Sequence, residues 1–398
     1  MADQPALKSL KIRGLLSFSE VNLDLGPLNI LIGPNGSGKS NLIEVIGLLQ
    51  SLPHDLRRPI REGGGVGNWI WKGIRGKITG ITPVGIETVI SYLSGERPIQ
   101  YRLEFDTDAE SWLEVKDECI DKARLENERM SLVGRSIFHF RYEHGRSTLN
   151  TGGDHRELGR EDFDPQQSML SQRKDPVGYP ELTYVGHLFE SIRLYREWSF
   201  GRRIIPRIPQ PADLRNDYLE ENLGNLGLML NKLRRDAKAK SDLLKNLKLF
   251  YEDAEDFDVI VEGGTVQVFL QERGYSIPAT RLSDGTLRWL CLLAILLHPS
   301  PPPLVCLEEP ELGFHPDMIP TLATLLRDAS ERMQLIVTTH SDTLVDALSD
   351  VPEAIVVCEK EEGATTMKRL SRGDLAVWLD KYSLGQLWSK GHIGGNRW

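Results

Sequence analysis

Eight consecutive residues, Gly33-Pro34-Asn35-Gly36-Ser37-Gly38-Lys39-Ser40, constrain this chain more than any other stretch. They match G-x-x-x-x-G-K-[ST] and follow directly on PLNILI (Pro27 to Ile32), an apolar run of the kind that forms a buried strand. The next run, NLIEVIGLLQSL, keeps Leu42, Ile43, Ile46, Leu49 and Leu52 at helical spacing. Strand, glycine loop and helix in that order predict a phosphate-binding loop. Its glycines let the N–H groups of Asn35, Gly36, Ser37 and Gly38 wrap phosphate oxygens, and the helix N-terminus adds positive potential. Lys39 is then expected at the β- and γ-phosphates, and Ser40 on Mg2+.

A loop of this kind needs an acidic residue at the end of a neighbouring strand to hold the Mg2+ shell, and a second group to polarise the attacking water. LVCLEEPELGFHP (Leu304 to Pro316) supplies both: Leu304 to Leu307 as the strand, Glu308 as the metal-side carboxylate and Glu309 as the candidate general base. Glu311 is left without a catalytic role and is expected, with Pro310, to shape the following turn.

Four motifs in chain order resemble ATPases of the ABC superfamily, in particular the RecF-like and OLD-like (AAA-type) branch and the heads of chromosome-maintenance (SMC-type) proteins. They are GPNGSGKS, RLSDGTLR (Arg281 to Arg288), LVCLEEPELGFHP and IVTTHS (Ile336 to Ser341). LSDGT is similar to the signature motif, usually written LSGGQ. The resemblance implies that Ser283 and Gly285 bind the γ-phosphate of ATP held by a second subunit, that His340 is the switch histidine, and that Gly313 to Pro316 form the D-loop. It implies ATP and Mg2+ as cofactors and an ATP-dependent homodimer. Three departures stand out. Asp284 replaces the usual second-position glycine and brings a negative charge near a triphosphate, and Glu308 replaces the usual aspartate. The Q-loop glutamine falls between Gln50 and Gln100 without assignment.

The expected fold is therefore α/β, a P-loop NTPase of ABC type: a mixed or parallel sheet core with an antiparallel β subdomain and a helical insertion. We expect an N-terminal ATPase lobe over residues 1–150, a polar linker and helical insertion over 151–255, and a C-terminal ATPase lobe over 256–398. Within the insertion, Gly153 to Pro180 reads as a mobile loop or linker, and NLGLMLNKLRRDAKAKSDLLKNLKLF as one helix with Leu226, Leu230, Leu233, Ala237, Leu244 and Leu247 on one face. A hairpin is expected around Gly263-Gly264.

Composition bounds the partners. The net charge of −9 argues against a surface coated for nucleic acid, yet residues 191–250 carry 13 positive and 7 negative side chains. The basic stretch near 232–248 is the candidate surface for duplex DNA or a partner. The longest strongly apolar stretch, Trp289 to Leu297, is too short to span a bilayer, so a cytoplasmic protein without a membrane partner is expected. Cys119, Cys291, Cys306 and Cys358 stand far apart, as free thiols do. No D-x-D pair follows VVCEKEEG (Val356 to Gly363), so no nuclease module is expected in this chain. Two functions follow from the resemblance: an ATPase of DNA maintenance, double-strand break repair or phage defence, or a regulatory ATPase controlling a separately encoded effector or nuclease. In the second case the tail Leu384 to Trp398 is the expected docking element.

Overall fold

The computed structural model describes residues 5–73, 84–92, 97–107, 112–123, 138–143, 146–151, 154–158, 163–196, 198 and 201–395. Parts of the expected antiparallel region (74–83, 124–137), of the expected linker (159–162) and of the tail (396–398) lie outside these residues.

The centre is a six-stranded sheet in the order Arg193–Tyr195, Leu304–Glu308, Gln334–Thr338, Leu28–Ile32, Ile355–Glu361, Ala364–Arg369. The first five strands are parallel and the last is antiparallel. Parallel strands are covered on both faces, which is why they read as unbroken apolar runs. Alternate side chains serve two cores. Ile30, Ile32, Val305, Leu307, Leu335 and Val337 join the core beneath the helices Leu226–Leu233, Asp284–Leu296 and Ile319–Ser330. Leu31, Leu304, Cys306, Ile336 and Val356 join the core beneath the helices Lys39–Ser51 and Pro180–Glu190.

That second core is closed by an antiparallel sheet of eight strands, in the order Phe18–Asp24, Leu7–Leu15, Val84–Ile90, Ile99–Thr107, Leu113–Lys122, Phe138–Glu143, Arg146–Thr151, Asp154–Leu158. Period-two alternation buries Ile99, Tyr101, Leu103 and Phe105 on one face. A smaller sheet joins the hairpin Ala254–Glu262 and Thr265–Glu272 to Tyr275–Pro278 and Gln210–Pro211. Its turn is at Gly263-Gly264, as expected.

The first hairpin turns at Leu16-Ser17, and Gly14 lies inside the strand Leu7–Leu15. Two local expectations change. The single long helix divides into Leu226–Leu233 and Ala237–Phe250, because Asp236 is an N-cap that accepts from the Ala239 N–H at 2.8 Å. The restart shifts the phase, so Ala239 is buried where Ala237 was expected. Within residues 151–255, Arg193–Tyr195 forms an edge of the central sheet.

From Phe163 on, the polar stretch before Pro180 is held in place. Phe163, Met169 and Leu170 are buried, and the fully buried Glu118 accepts from Tyr101 Oη at 2.8 Å, Ser168 Oγ at 2.6 Å and the Met169 N–H at 2.7 Å. The tail is likewise occupied internally. Leu384, Leu387 and Trp388 are buried, Trp388 Nε1 donates to the Gly395 carbonyl at 3.2 Å, and the Gly395 N–H donates to Glu359 Oε1 at 2.8 Å. These three apolar side chains are therefore part of the core and not a free docking face. All four cysteines are free and buried. Among the described residues no helix is long and apolar enough to cross a membrane.

Candidate active site

Strand order brings the motifs together. Leu28–Ile32 and Leu304–Glu308 flank Gln334–Thr338, so the P-loop, the glutamate pair and His340 all leave the carboxyl ends of adjacent parallel strands. The loop turns tightly against its surroundings. Gly33 has φ +148°, and a Cβ there would stand 2.2 Å from the Cys358 carbonyl oxygen. Gly38 has φ +101°, and a Cβ there would stand 2.3 Å from Thr365 Oγ1. Both positions exclude any side chain.

Lys39 is buried, and its Nζ donates to the carbonyls of Gly33 at 2.7 Å and Pro34 at 3.1 Å. These oxygens occupy the ammonium where phosphate oxygens would. Burial lowers its pKa from the ordinary value, opposed by the negative charges of Glu309 and Glu308. The Ser37 hydroxyl is buried inside the loop with no partner among the described residues, an orphaned polar group that suits a phosphate oxygen. Asn35 and Gly36 are exposed at the loop's rim.

Ser40 Oγ donates directly to Glu308 Oε1. The longer glutamate thus reaches the serine that the sequence assigns to the metal. Two hard oxygens and no more fit Mg2+, which keeps waters and substrate phosphates as its other ligands. Among the described residues no cluster of three His, Cys, Asp or Glu side chains forms an all-protein metal cage.

Glu309 follows with φ +45°, a left-handed backbone that costs about 1–3 kcal/mol for a non-glycine residue. The turn is held because the Glu309 N–H donates to the Thr338 carbonyl at 3.0 Å and to Thr338 Oγ1 at 3.2 Å. Its Oε1 lies 3.6 Å from His340 Nε2, and both side chains are about one-third exposed (30% and 36%). That separation is too long for a direct hydrogen bond. Burial lowers the His340 pKa first and the Lys39 charge lowers it further, with Glu309 opposing, so the imidazole is neutral at pH 7.

Glu311 has more to do than shape a turn. It is buried, and its Oε1 accepts from Thr339 Oγ1 and, at 3.3 Å, from the His340 N–H. It ties the turn after Glu309 to the loop that carries the histidine. Burial raises its pKa, against those hydrogen bonds.

Ser283 caps the helix Asp284–Leu296, accepting from the Thr286 N–H at 3.0 Å. Gly285 packs beside Phe250, and a Cβ there would stand 3.9 Å from the Gly313 carbonyl oxygen. Signature and D-loop are thus neighbours on one surface, joined by Arg288, which donates to the Leu312 carbonyl.

Neither glutamine considered for the Q-loop reaches the site. Gln50 donates to the Ile192 carbonyl at 2.8 Å and to Glu221 at 2.7 Å, while Gln100 pairs with Glu87 in the antiparallel sheet. Past the edge strand Arg193–Tyr195 stands Trp198, whose Nε1 donates to the Glu308 carbonyl at 2.8 Å. Arg288 lies over its ring at 5.7 Å and donates to its carbonyl at 2.9 Å. The indole's place beside Glu308 follows from strand order, which no local pattern in the sequence reveals.

Fold and site together define an ABC-type P-loop ATPase of the RecF and SMC kind. The chain belongs to the family described as "AAA domain, putative AbiEii toxin, Type IV TA system", which matches residues 28–346. It is similar to DNA replication and repair protein RecF of Magnetococcus marinus, 52% identical over 44 residues, which are 11% of this chain and 12% of that one. RecF of Brucella abortus is 37% identical over 70 residues, 16% of this chain and 18% of that one. The matches thus span less than a fifth of the length of these curated relatives. The fold is similar to that of an SMC head crystallised with the C-winged helix domain of ScpA (TM-score 0.58, 14% identity, 94% of this chain and 100% of that one). A Pyrococcus furiosus Smc head with an extended coiled coil, bound to the C-terminal domain of ScpA, gives 0.54 at 15% identity, covering 95% and 99%.

Proposed function

We propose that this chain hydrolyses ATP in a site completed by a second copy, with the P-loop, Glu308, Glu309 and His340 of one copy facing Ser283 and Gly285 of the other. In this reading Lys39 and the loop N–H groups hold the β- and γ-phosphates. Ser40 and Glu308 hold Mg2+, which when bound neutralises charge on the phosphate oxygens. Glu309 orients the attacking water and takes its proton, while neutral His340 donates toward the γ-phosphate. The observation that carries the reading is the convergence of Ser40 on Glu308 and of His340 on Glu309 at the mouth of the P-loop.

The dimer acts in DNA maintenance, repair or defence. The names of the RecF relatives support this, as do exposed Lys238, Lys245 and Lys248, which share one face of the helix Ala237–Phe250 and form no ion pair among the described residues. Arg234 and Lys240 are already paired with Asp258 and Asp256. The deciding experiment is Glu309→Gln with ATP and Mg2+, followed by sedimentation with and without duplex DNA. The expected result is an ATP-trapped dimer with hydrolysis lowered at least about 100-fold. A monomer that hydrolyses at the wild-type rate sinks the reading. DNA-stimulated hydrolysis that falls steeply with salt supports the DNA role. Absence of any stimulation, with co-purification of a separately encoded protein, supports the regulatory alternative.

A further inference from the structure

Asp284 is the residue that most sets this signature apart, because its carboxylate stands at the first turn of a helix whose N–H groups the proposed mechanism offers to a triphosphate. An uncompensated anion there would repel the nucleotide. It is compensated from a distant part of the chain. Arg207, 77 residues earlier, is nearly buried (side chain 9% exposed) and donates through Nη2 to Asp284 Oδ1, whose own side chain is 52% exposed.

The same guanidinium holds the backbone of the signature loop. Its Nη1 donates to the carbonyls of Leu282 and, at 3.4 Å, Ala279, and its Nε donates to the Gly201 carbonyl at 2.8 Å. The segment that presents it is stiff. Pro206, Pro209 and Pro211 fix their φ angles, and buried Gln210 accepts from the Gly227 N–H at 2.8 Å. The planar fork suits this task in a way an ammonium does not, since it satisfies several acceptors in one plane.

We propose that Arg207 is the positioning residue of the signature: it cancels the charge of Asp284 and fixes the loop so that Ser283 and the following N–H groups meet the γ-phosphate on the second copy. This rests on the trans role of the signature given above. Arg207 does not touch nucleotide itself. Buried guanidinium and half-exposed carboxylate form a unit, so removing the arginine leaves a bare anion at the phosphate site, and removing both leaves the site neutral.

The test is a double-mutant cycle in the Glu309→Gln background, reading the protein concentration at half-maximal ATP-dependent dimer and, at low concentration, the affinity of the monomer for ATP. Arg207→Met is expected to raise the dimer midpoint at least about tenfold with monomer affinity within about twofold. Adding Asp284→Gly is expected to return the midpoint to within about threefold of the parent, and Arg207→Lys to fall between. Equal losses with and without Asp284→Gly, or no loss, overturn the proposal. If Arg207→Met does not fold, Arg207→Lys measured with and without Asp284→Gly gives the same decision. Hydrogen exchange of Leu282 and Thr286 in the ATP-free monomer separates this idea from the reading it rests on. Faster exchange in the Arg207 variants supports the positioning role even where the parent fails to dimerise, and unchanged exchange overturns it.

Discussion

The carboxylate of Glu311 accepts the backbone N–H of His340 at 3.3 Å, together with the hydroxyl of Thr339, so the third glutamate of the acidic turn holds the loop that carries His340. Its other oxygen is buried without a hydrogen-bond partner among the described residues. Glu311→Ala removes the shared acceptor and strands two donors. The expected cost is about 1–3 kcal/mol of stability, with kcat lowered at least about tenfold as His340 loses its place. Glu311→Gln keeps the accepting oxygen and is expected to stay within about threefold of wild type. Thermal melts and steady-state ATPase assays decide, and equal behaviour of the two variants would remove the positioning role.

The direct contact between Ser40 and Glu308 predicts how the metal demand responds to length and charge. Glu308→Asp withdraws the carboxylate by one methylene and breaks the contact, so the Mg2+ concentration for half-maximal hydrolysis should rise about 3- to 10-fold. Glu308→Gln removes the charge and should raise it at least about tenfold. An unchanged Mg2+ titration for both variants contradicts the assignment of Glu308 to the metal.

His340 offers a test that needs no turnover. Burial first and the Lys39 charge second lower its pKa below the usual 6.5, so the neutral imidazole persists until the pH falls under that value. Below its own pKa the protonated ring is drawn to Glu309 Oε1, 3.6 Å away, and the base is neutralised. The expected NMR titration of the His340 ring has its midpoint under 6.5, and in Lys39→Met the midpoint moves up. The acid limb of kcat follows the same midpoint. A midpoint at or above 6.5 in the wild-type chain, or a downward move in Lys39→Met, is the contrary result.

What the sequence disclosed and what it hid divide along contact range. The P-loop, the strand leading into Glu308-Glu309, the helix after Ser283 and the strand before His340 were legible, because each is written in a local period and a fixed spacing. Residues that work through distant partners were not. Trp198, Arg207, Glu118 and Glu311 look like ordinary loop or strand residues until the sheet order sets Trp198 beside Glu308 and the proline segment sets Arg207 beside Asp284. The loop expected before Pro180 differs from Phe163 on for the opposite reason: polar composition masked three buried anchors, Phe163, Met169 and Leu170. The single long helix failed on one residue, since Asp236 in an otherwise unbroken pattern acts as a cap.

The last hairpin of the central sheet holds the P-loop from below, which predicts a nucleotide-binding role for a residue that no motif marks. Thr365 Oγ1 lies 3.0 Å from the Ser37 carbonyl and 2.6 Å from Ser17 Oγ, and Asn41 Nδ2 donates to Ser17 Oγ at 2.7 Å. A carbonyl only accepts, so the single proton of Thr365 goes to Ser37, and Ser17 must donate to Thr365. The relay runs from Asn41 through Ser17 and Thr365 to the loop, passing under Gly38, where no Cβ fits. Thr365→Val keeps the shape and removes the hydroxyl, leaving the Ser37 carbonyl unpaired at about 1–3 kcal/mol. Part of that cost should fall on the ordered loop, weakening ATP binding about tenfold in a direct titration of the monomer, while Thr365→Ser binds within about twofold of wild type. If Thr365→Val binds ATP as tightly as Thr365→Ser, the hairpin supports the fold without ordering the phosphate loop.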